Sequence, residues 1–191
     1  MKIDSLKKLD KQMLKGKIVA FPTDTVYGVG ALIDDEEAIE KIYALKKRDL
    51  QKPLAILAGK IDDILPYVEA PSKETQEIMK IYWPGALTII FKKSSLASDK
   101  LTRGLPTIGF RIPNEPDALA FLQKVGPVAT TSINLSGEKP LNDAKSIDET
   151  FGDNIDFLYA KEVASSNISS TVIDCTTDEI KILRVGEIKI K

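Results

Sequence analysis

Apolar residues along this chain recur at two spacings, alternation in short β-rich runs and steps of three and four in longer ones, and the two kinds of segment follow each other. Near the N-terminus Ile3, Leu6, Leu9 and Met13 step by three and four, with Asp4 placed as an N-cap and Gly16 as a stop. This spacing predicts an amphipathic first helix. KIVAF (17–21) closes at Pro22 and VGALI (29–33) follows Tyr27, which predicts strand, tight polar loop and strand. From Asp34, DDEEAIEKIYALKK carries acids in its first turn, Ala38, Ile39, Ile42 and Leu45 on one face, and lysines in its last turn. Charge order and periodicity agree on a helix.

PLAILA (53–58) reads as a buried strand, IDDILPYV (61–68) as a short helix, and SKETQEIMKIYW (72–83) as a helix ended by Pro84-Gly85. LTIIFKK (87–93) and TIGFRI (107–112) are β-rich; the second puts Ile108 and Phe110 on one face, Gly109 and Arg111 on the other. Asn114 is a good N-cap for EPDALAFLQKV, which stops at Gly126. PVATTSIN (127–134) predicts a strand running into the polar stretch LSGEKPLNDAKS, then a helix to Phe151. STVIDC (170–175) and EIKILRV (179–185) predict two more strands after the loop SSNISS. No repeat and no dividing linker is present, so residues 1–191 are expected to form a single α/β domain. Adjacent strand pairs argue for a mixed parallel and antiparallel sheet flanked by helices.

Composition narrows the chemistry. At 191 residues and 43% hydrophobic, the chain fits one soluble globular domain with a substantial core. Lys+Arg number 27 against 28 Asp+Glu, so no global field draws in a polyanion and RNA binding would need a local patch. The single cysteine, Cys175, allows no intrachain disulfide and fits a reducing, cytoplasmic setting. There is no histidine, which removes Ser-His-Asp and Cys-His catalysis and ordinary zinc sites. No apolar run approaches the roughly 20 residues a membrane span needs, and mean hydropathy is -0.09. The N-terminal lysines precede no continuous apolar core, so no secretory signal and no membrane association are expected.

The familiar nucleotide signatures fail: no P-loop exists, and Gly28-Val29-Gly30 has Ile33 where a third glycine would complete a dinucleotide fingerprint. Arginine is used sparingly, at positions 48, 103, 111 and 184, and three of these sit beside polar or Gly- or Pro-containing turns. A planar fork at such places suits carboxylate or phosphate; the alternative is a solvated surface charge. The run from Lys46 to Pro53 closes a predicted helix and reads alone as dipole complementation. In Thr130-Thr131-Ser132-Ile133-Asn134-Leu135-Ser136-Gly137, five of eight residues carry hydroxyl or amide side chains after an apolar strand. That suits a ligand cleft at a strand's end or local turn capping.

Seven ordered blocks carry a resemblance: FPTDTVYGVG (21–30), IYALKKR with KPL (42–54), WPGALTIIF (83–91), TIGFRIP (107–113), VATTSINLSG (128–137), SSTVID (169–174) and ILRVG (182–186). Over about residues 8–188 the chain resembles the YrdC/YciO family, in its short, single-domain form without an additional C-terminal domain. The resemblance implies a YrdC-like twisted sheet and L-threonylcarbamoyladenylate synthesis from L-threonine, bicarbonate and ATP, with Mg2+ accompanying the ATP. It further implies t6A at position 37 of tRNAs reading ANN codons, with downstream tRNA threonylcarbamoyl-transfer proteins as transient partners. On the family pattern Lys46, Arg48, Ser132 and Asn134 are catalytic, and Thr25, Arg111, Ser132 and Ser170 hold threonine. Arg48, Lys52, Thr107, Asn134, Asn142 and Arg184 meet ATP, while Trp83 and Phe110 are core. Lys46 and Arg48 are expected to act on phosphate charge with little part in stability.

The sequence departs from the pattern at several points. The usual K-G-R-P turn is Lys46-Lys47-Arg48-Asp49, and Lys52 and Leu57 stand where many members carry Asn and a threonine-contacting His. Glu115-Pro116 replaces His-Pro, and Arg184-Val185-Gly186 replaces R-P-G. Two other readings accompany the synthase: a module of this fold that binds RNA, tRNA included, without catalysis, and a YciO-like paralogue with a different small-molecule substrate.

Overall fold

The computed structural model describes residues 1–161, 163 and 165–190. The described strands are β1 (Lys2–Ile3), β2 (Val19–Phe21), β3 (Gly28–Leu32), β4 (Ala55–Leu57), β5 (Leu87–Lys92), β6 (Thr107–Arg111), β7 (Val128–Ser132), β8 (Phe157–Tyr159), β9 (Thr171–Asp174) and β10 (Lys181–Arg184). They form one sheet in the order β1-β8-β2-β3-β7-β4-β6-β5-β9-β10. Pairing is mixed: β2/β3, β3/β7, β4/β7, β5/β6 and β9/β10 are antiparallel, and β1/β8, β2/β8, β4/β6 and β5/β9 are parallel. The expected single α/β domain with a mixed sheet flanked by helices is what forms.

The helices are α1 (Glu36–Lys46), α2 (Lys73–Tyr82), α3 (Asp99–Thr102), α4 (Pro116–Val125) and α5 (Ala144–Phe151). Asp35 starts α1 by accepting from the Ala38 amide at 3.0 Å, with Glu36 and Glu37 on the positive end of the helix dipole. α1 stops in a left-handed turn at Lys47, φ +49°, whose amide reaches Ala44 O at 3.2 Å while the Arg48 amide reaches Tyr43 O at 3.0 Å. A glycine would take that conformation freely, whereas a lysine does so at a cost.

Alternation in the strands sorts two cores onto the two sheet faces. Val29, Ile56, Leu87, Ile89, Phe110, Ala129 and Ile173 join Ile39 and Ile42 of α1, Ile78 and Met79 of α2, and Ile147 and Phe151 of α5. On the other face Val19, Phe21, Leu32, Leu57 and Val128 pack with Phe121 and Leu122 of α4 and with Leu6, Leu9 and Leu14. That second layer covers one part of its face only. The remainder carries the small and polar partners of the alternation, and it is there that a cleft opens.

Some sequence expectations are corrected. The first helix is instead β1 followed by a single 3-10 turn, Leu6–Lys8, capped by Ser5 rather than Asp4. Burial of Leu6, Leu9 and Leu14, with Met13 39% exposed, does not follow a continuous helical stripe. IDDILPYV forms two 3-10 turns, Ile61–Asp63 and Leu65–Tyr67. The cap of α4 is Glu115, whose Oε2 accepts from the Ala118 amide at 2.6 Å, and not Asn114. β1, β8 and α3 are additional elements.

Candidate functional site

The cleft has a volume of about 370 Å³ and is lined by strand residues from β3, β4, β5, β6, β7 and β9, by the 22–27 loop, and by Arg48, Leu101, Thr102 and Arg184. Its floor follows from period-two alternation. On β5, Leu87, Ile89 and Phe91 enter the core and Thr88 and Ile90 face the cleft; on β6, Ile108 and Phe110 alternate with Thr107, Gly109 and Arg111. Thr130 and Ser132 of β7 lie opposite Gly30 and Gly28 of β3. A Cβ on Gly30 would stand 2.5 Å from Val128 Cγ1, and one on Gly28 would stand 2.8 Å from Thr130 Cγ2. The Gly-Val-Gly run therefore exists for close strand packing. The cleft spreads over a sheet face and is not confined to the end of a strand, as the Thr130–Gly137 segment alone suggested.

Ten serine and threonine residues and three arginines line the cleft, with no lysine, carboxylate or aromatic ring among the described lining. Seven of the expected site residues meet there: Thr25, Arg48, Thr107, Arg111, Ser132, Ser170 and Arg184. Four lie outside the lining. Lys46 and Asn134 are directly behind Ser132, the Lys52 side chain is exposed, and Asn142 accepts from the Tyr27 amide at 3.4 Å.

Arg111, at the end of β6, is buried with three of its five N–H donors engaged. Nε donates to Gly85 O at 3.0 Å, Nη1 to Thr25 Oγ1 at 2.7 Å and Nη2 to Asp24 Oδ1 at 2.5 Å, leaving two. Burial pushes its pKa down, and the Asp24 carboxylate opposes that shift. Thr23 shapes the loop that presents Asp24 and Thr25: its hydroxyl donates to Val26 O at 2.8 Å and accepts from the Thr25 amide at 3.2 Å. The loop is pinned from outside by the Ser166 amide on Asp24 O (3.0 Å) and the Asn167 amide on Thr25 O (2.9 Å). Leu57 pairs in register with Arg111 across β4 and β6, so an apolar wall stands beside the fork.

Lys46 departs from expectation. Its ammonium is buried and donates to Ser132 O, to Asn134 O at 2.8 Å and to Asn134 Oδ1 at 2.9 Å, so all three donors are used. Asn134 Oδ1 also accepts from Ser132 Oγ at 2.7 Å, while its Nδ2 donates to Leu135 O and Glu138 O. Burial and the Arg48 guanidinium push the Lys46 pKa down to about 8. The group is ammonium at neutral pH and ties the end of α1 to the loop after β7, a structural contact that the sequence expectation did not include.

Arg48 donates to the carbonyls of Lys52 (3.2 Å) and Pro53 (3.1 Å), and Arg184 to Ser170 O (3.0 Å) and Oγ (3.1 Å). Ser170 Oγ in turn lies 2.8 Å from Thr88 Oγ1. The sequence reading missed Asp24, Thr88 and Thr102 at this site; the Thr88/Ile90 alternation against Leu87, Ile89 and Phe91 was the available signal for the second.

The threonylcarbamoyl-AMP synthase of Bacillus subtilis is 34% identical over 176 residues, which are 91% of this chain and 51% of that protein. The chain thus spans about half the length of that curated relative. The threonylcarbamoyl-AMP synthase of Vibrio campbellii is 30% identical over 179 residues, 92% of this chain and 96% of that protein. The structure of Pyrococcus abyssi Sua5 complexed with L-threonine superposes with a TM-score of 0.86 at 31% identity, covering 97% of this chain and 57% of that one. Residues 11–186 match the Sua5/YciO/YrdC family model, described as telomere recombination, and the chain belongs to that family.

Proposed function

We propose that this chain is an L-threonylcarbamoyladenylate synthase. The observation that carries the reading is the convergence, in one cleft, of three arginines with Thr25, Thr107, Ser132 and Ser170. Relatives named threonylcarbamoyl-AMP synthase and the threonine complex of the Pyrococcus protein support it.

The amine of threonine and bicarbonate give a carbamate and water. A carbamate oxygen then attacks the α-phosphorus of ATP and pyrophosphate departs, yielding threonylcarbamoyl-AMP. No covalent enzyme intermediate is needed, so a chain without histidine can work by orientation and by cationic stabilisation of phosphate charge. The two remaining N–H groups of Arg111 suit the amino-acid carboxylate, with Thr25 and Ser170 nearby. Arg48 and Arg184 stabilise the phosphates, and Thr107 adds a donor on the nucleotide side. Lys46 acts through Ser132 and Asn134, which it holds; Lys52 and Asn142 stand outside the cleft lining.

Mg2+ would accompany ATP, held mainly by phosphate and water oxygens rather than by protein ligands, and would supply neutralisation of phosphate charge. Among the described residues no group of three His, Cys, Asp or Glu could hold a metal by itself. The product supplies the threonylcarbamoyl group of t6A at position 37 of tRNAs reading ANN codons, through downstream transfer proteins. No described helix is long and apolar enough to cross a membrane, and the proposed site of action is the cytoplasm. Incubation with L-threonine, bicarbonate and α-labelled ATP tests the reading. A labelled AMP conjugate of threonylcarbamate supports it, and AMP or ADP as the only labelled product contradicts it.

A further inference from the structure

The three cleft arginines are not electrostatically equivalent. Arg111 pairs with Asp24 at 2.5 Å, and both side chains are largely buried. Among the described residues Arg48 and Arg184 form no ion pair; their bonds go to carbonyl and hydroxyl oxygens. Among the described residues two of the three guanidiniums thus have no carboxylate partner in the cleft, and the third is held as a locally neutral pair. Nearby, Glu187 adds to the compensation at Arg111 and Arg184 opposes it.

Two anions of different chemistry must share this cleft on the reading proposed above, on which this inference rests: a singly charged carboxylate and a polyphosphate. Any uncompensated arginine attracts the polyphosphate more strongly, because Coulomb attraction scales with ligand charge. A guanidinium already matched by a carboxylate loses that advantage, while two N–H groups in a fixed plane still recognise a planar, bidentate carboxylate. We propose that Asp24 is a specificity-determining residue: by neutralising Arg111 it keeps polyphosphate off the amino-acid subsite and reserves that fork for a carboxylate. Its carbonyl, tied to the Ser166 amide, and Thr25, tied to the Asn167 amide, hold the pair in place.

Calorimetric titration of inorganic pyrophosphate, without threonine, into wild type, Asp24→Asn and Asp24→Asn/Arg111→Gln tests this. Asp24→Asn is expected to bind pyrophosphate at least about tenfold tighter than wild type at low ionic strength, since one nearby negative charge is removed. The double variant replaces a neutral pair by neutral groups and is expected to stay within about twofold of wild type. This arm holds even if the single variant fails to fold. Unchanged pyrophosphate affinity in Asp24→Asn, a gain that survives in the double variant, or a tenfold loss in the double variant would each overturn the proposal.

Threonine titrations with and without pyrophosphate give the second readout. Pyrophosphate should leave the wild-type threonine Kd within about twofold and raise that of Asp24→Asn at least about fivefold; equal sensitivity of the two proteins overturns the proposal. A wild type that binds pyrophosphate but no threonine removes the functional reading, and the pyrophosphate series still decides the role of Asp24.

Discussion

Lys46 Nζ, at the end of α1, donates to Asn134 Oδ1 at 2.9 Å across 88 positions of sequence, and the same oxygen accepts from Ser132 Oγ. A helix terminus is thereby tied to the loop after β7, directly behind Ser132 of the cleft lining. Lys46→Met leaves Asn134 Oδ1 and two carbonyls short of a donor. It is expected to cost about 3 kcal/mol, a fall in Tm of about 6–12 °C for a chain of this length, with at least about 10²-fold lower turnover.

The same contact sets a pH signature. Folding lowers the Lys46 pKa from 10.5 to about 8, so between those values the unfolded chain holds a proton that the folded chain has released. The penalty is fully present below pH 8 and fades as pH rises to 10.5, so wild type gains stability relative to Lys46→Met across that window, on the order of 2 kcal/mol. Turnover should fall over the same range, because a neutral amine has two donors for three oxygens. Denaturant unfolding of both proteins at pH 7, 8, 9 and 10 checks the first half. A constant difference between them would show that Lys46 does not titrate there.

Lys47 occupies the left-handed turn that ends α1, with φ +49° and its side chain exposed. Lys47→Gly is expected to stabilise by about 0.5–1 kcal/mol and to raise Tm by about 1–4 °C with turnover unchanged. Differential scanning calorimetry reads this directly; destabilisation would mean that the lysine side chain makes compensating contacts.

Gly186 lies so close to the neighbouring strand that an added Cβ would stand 2.3 Å from Ser169 O and 2.4 Å from the Thr171 amide nitrogen. Its own amide donates to Thr171 Oγ1 at 3.0 Å. Gly186→Ala must therefore shift the segment that carries Arg184 away from Ser170. We expect a loss of about 2–3 kcal/mol together with a raised KM for ATP and a smaller change in KM for threonine. Equal effects on both KM values would argue against a nucleotide role for Arg184.

Much of this arrangement was legible in the sequence, and the misses have physical causes. Phe110 against Gly109 and Arg111 gave the two faces of β6 correctly, with Ile108 reaching both the core and the cleft edge, because alternation in a half-buried strand is a direct record of its environment. The N-terminal stripe misled because Leu6 and Leu9 are buried by α4 and the sheet, a tertiary effect that leaves the same spacing as a helix. The Lys46 lock was hidden: a lysine closing a helix resembles dipole complementation, and its three acceptors lie more than 80 positions away. Asp24 was equally hidden, since it lies in a loop and its partner Arg111 lies on β6, 87 positions away.

Arg111 offers two remaining donors in a fixed plane. Arg111→Lys should weaken threonine binding at least about tenfold despite keeping its charge, as a point cation cannot reproduce two parallel hydrogen bonds. Thr25 and Ser132 hydroxyls line the same cleft. We therefore expect L-threonine to exceed L-valine by more than about 10²-fold in kcat/KM, with L-serine intermediate, because an analogue without the hydroxyl leaves polar groups unpaired. Equal threonine affinity in wild type and Arg111→Lys would remove Arg111 from the amino-acid site.

The most direct measurement is the stoichiometry of carbon fixed to pyrophosphate released, with 14C-bicarbonate, L-threonine and ATP under initial-rate conditions. A carbamate that attacks the α-phosphorus requires one acid-labile 14C in a threonine- and AMP-containing product for each pyrophosphate, and no pyrophosphate when threonine or bicarbonate is omitted. Pyrophosphate released at the same rate without either substrate, or without 14C in the product, would contradict the account.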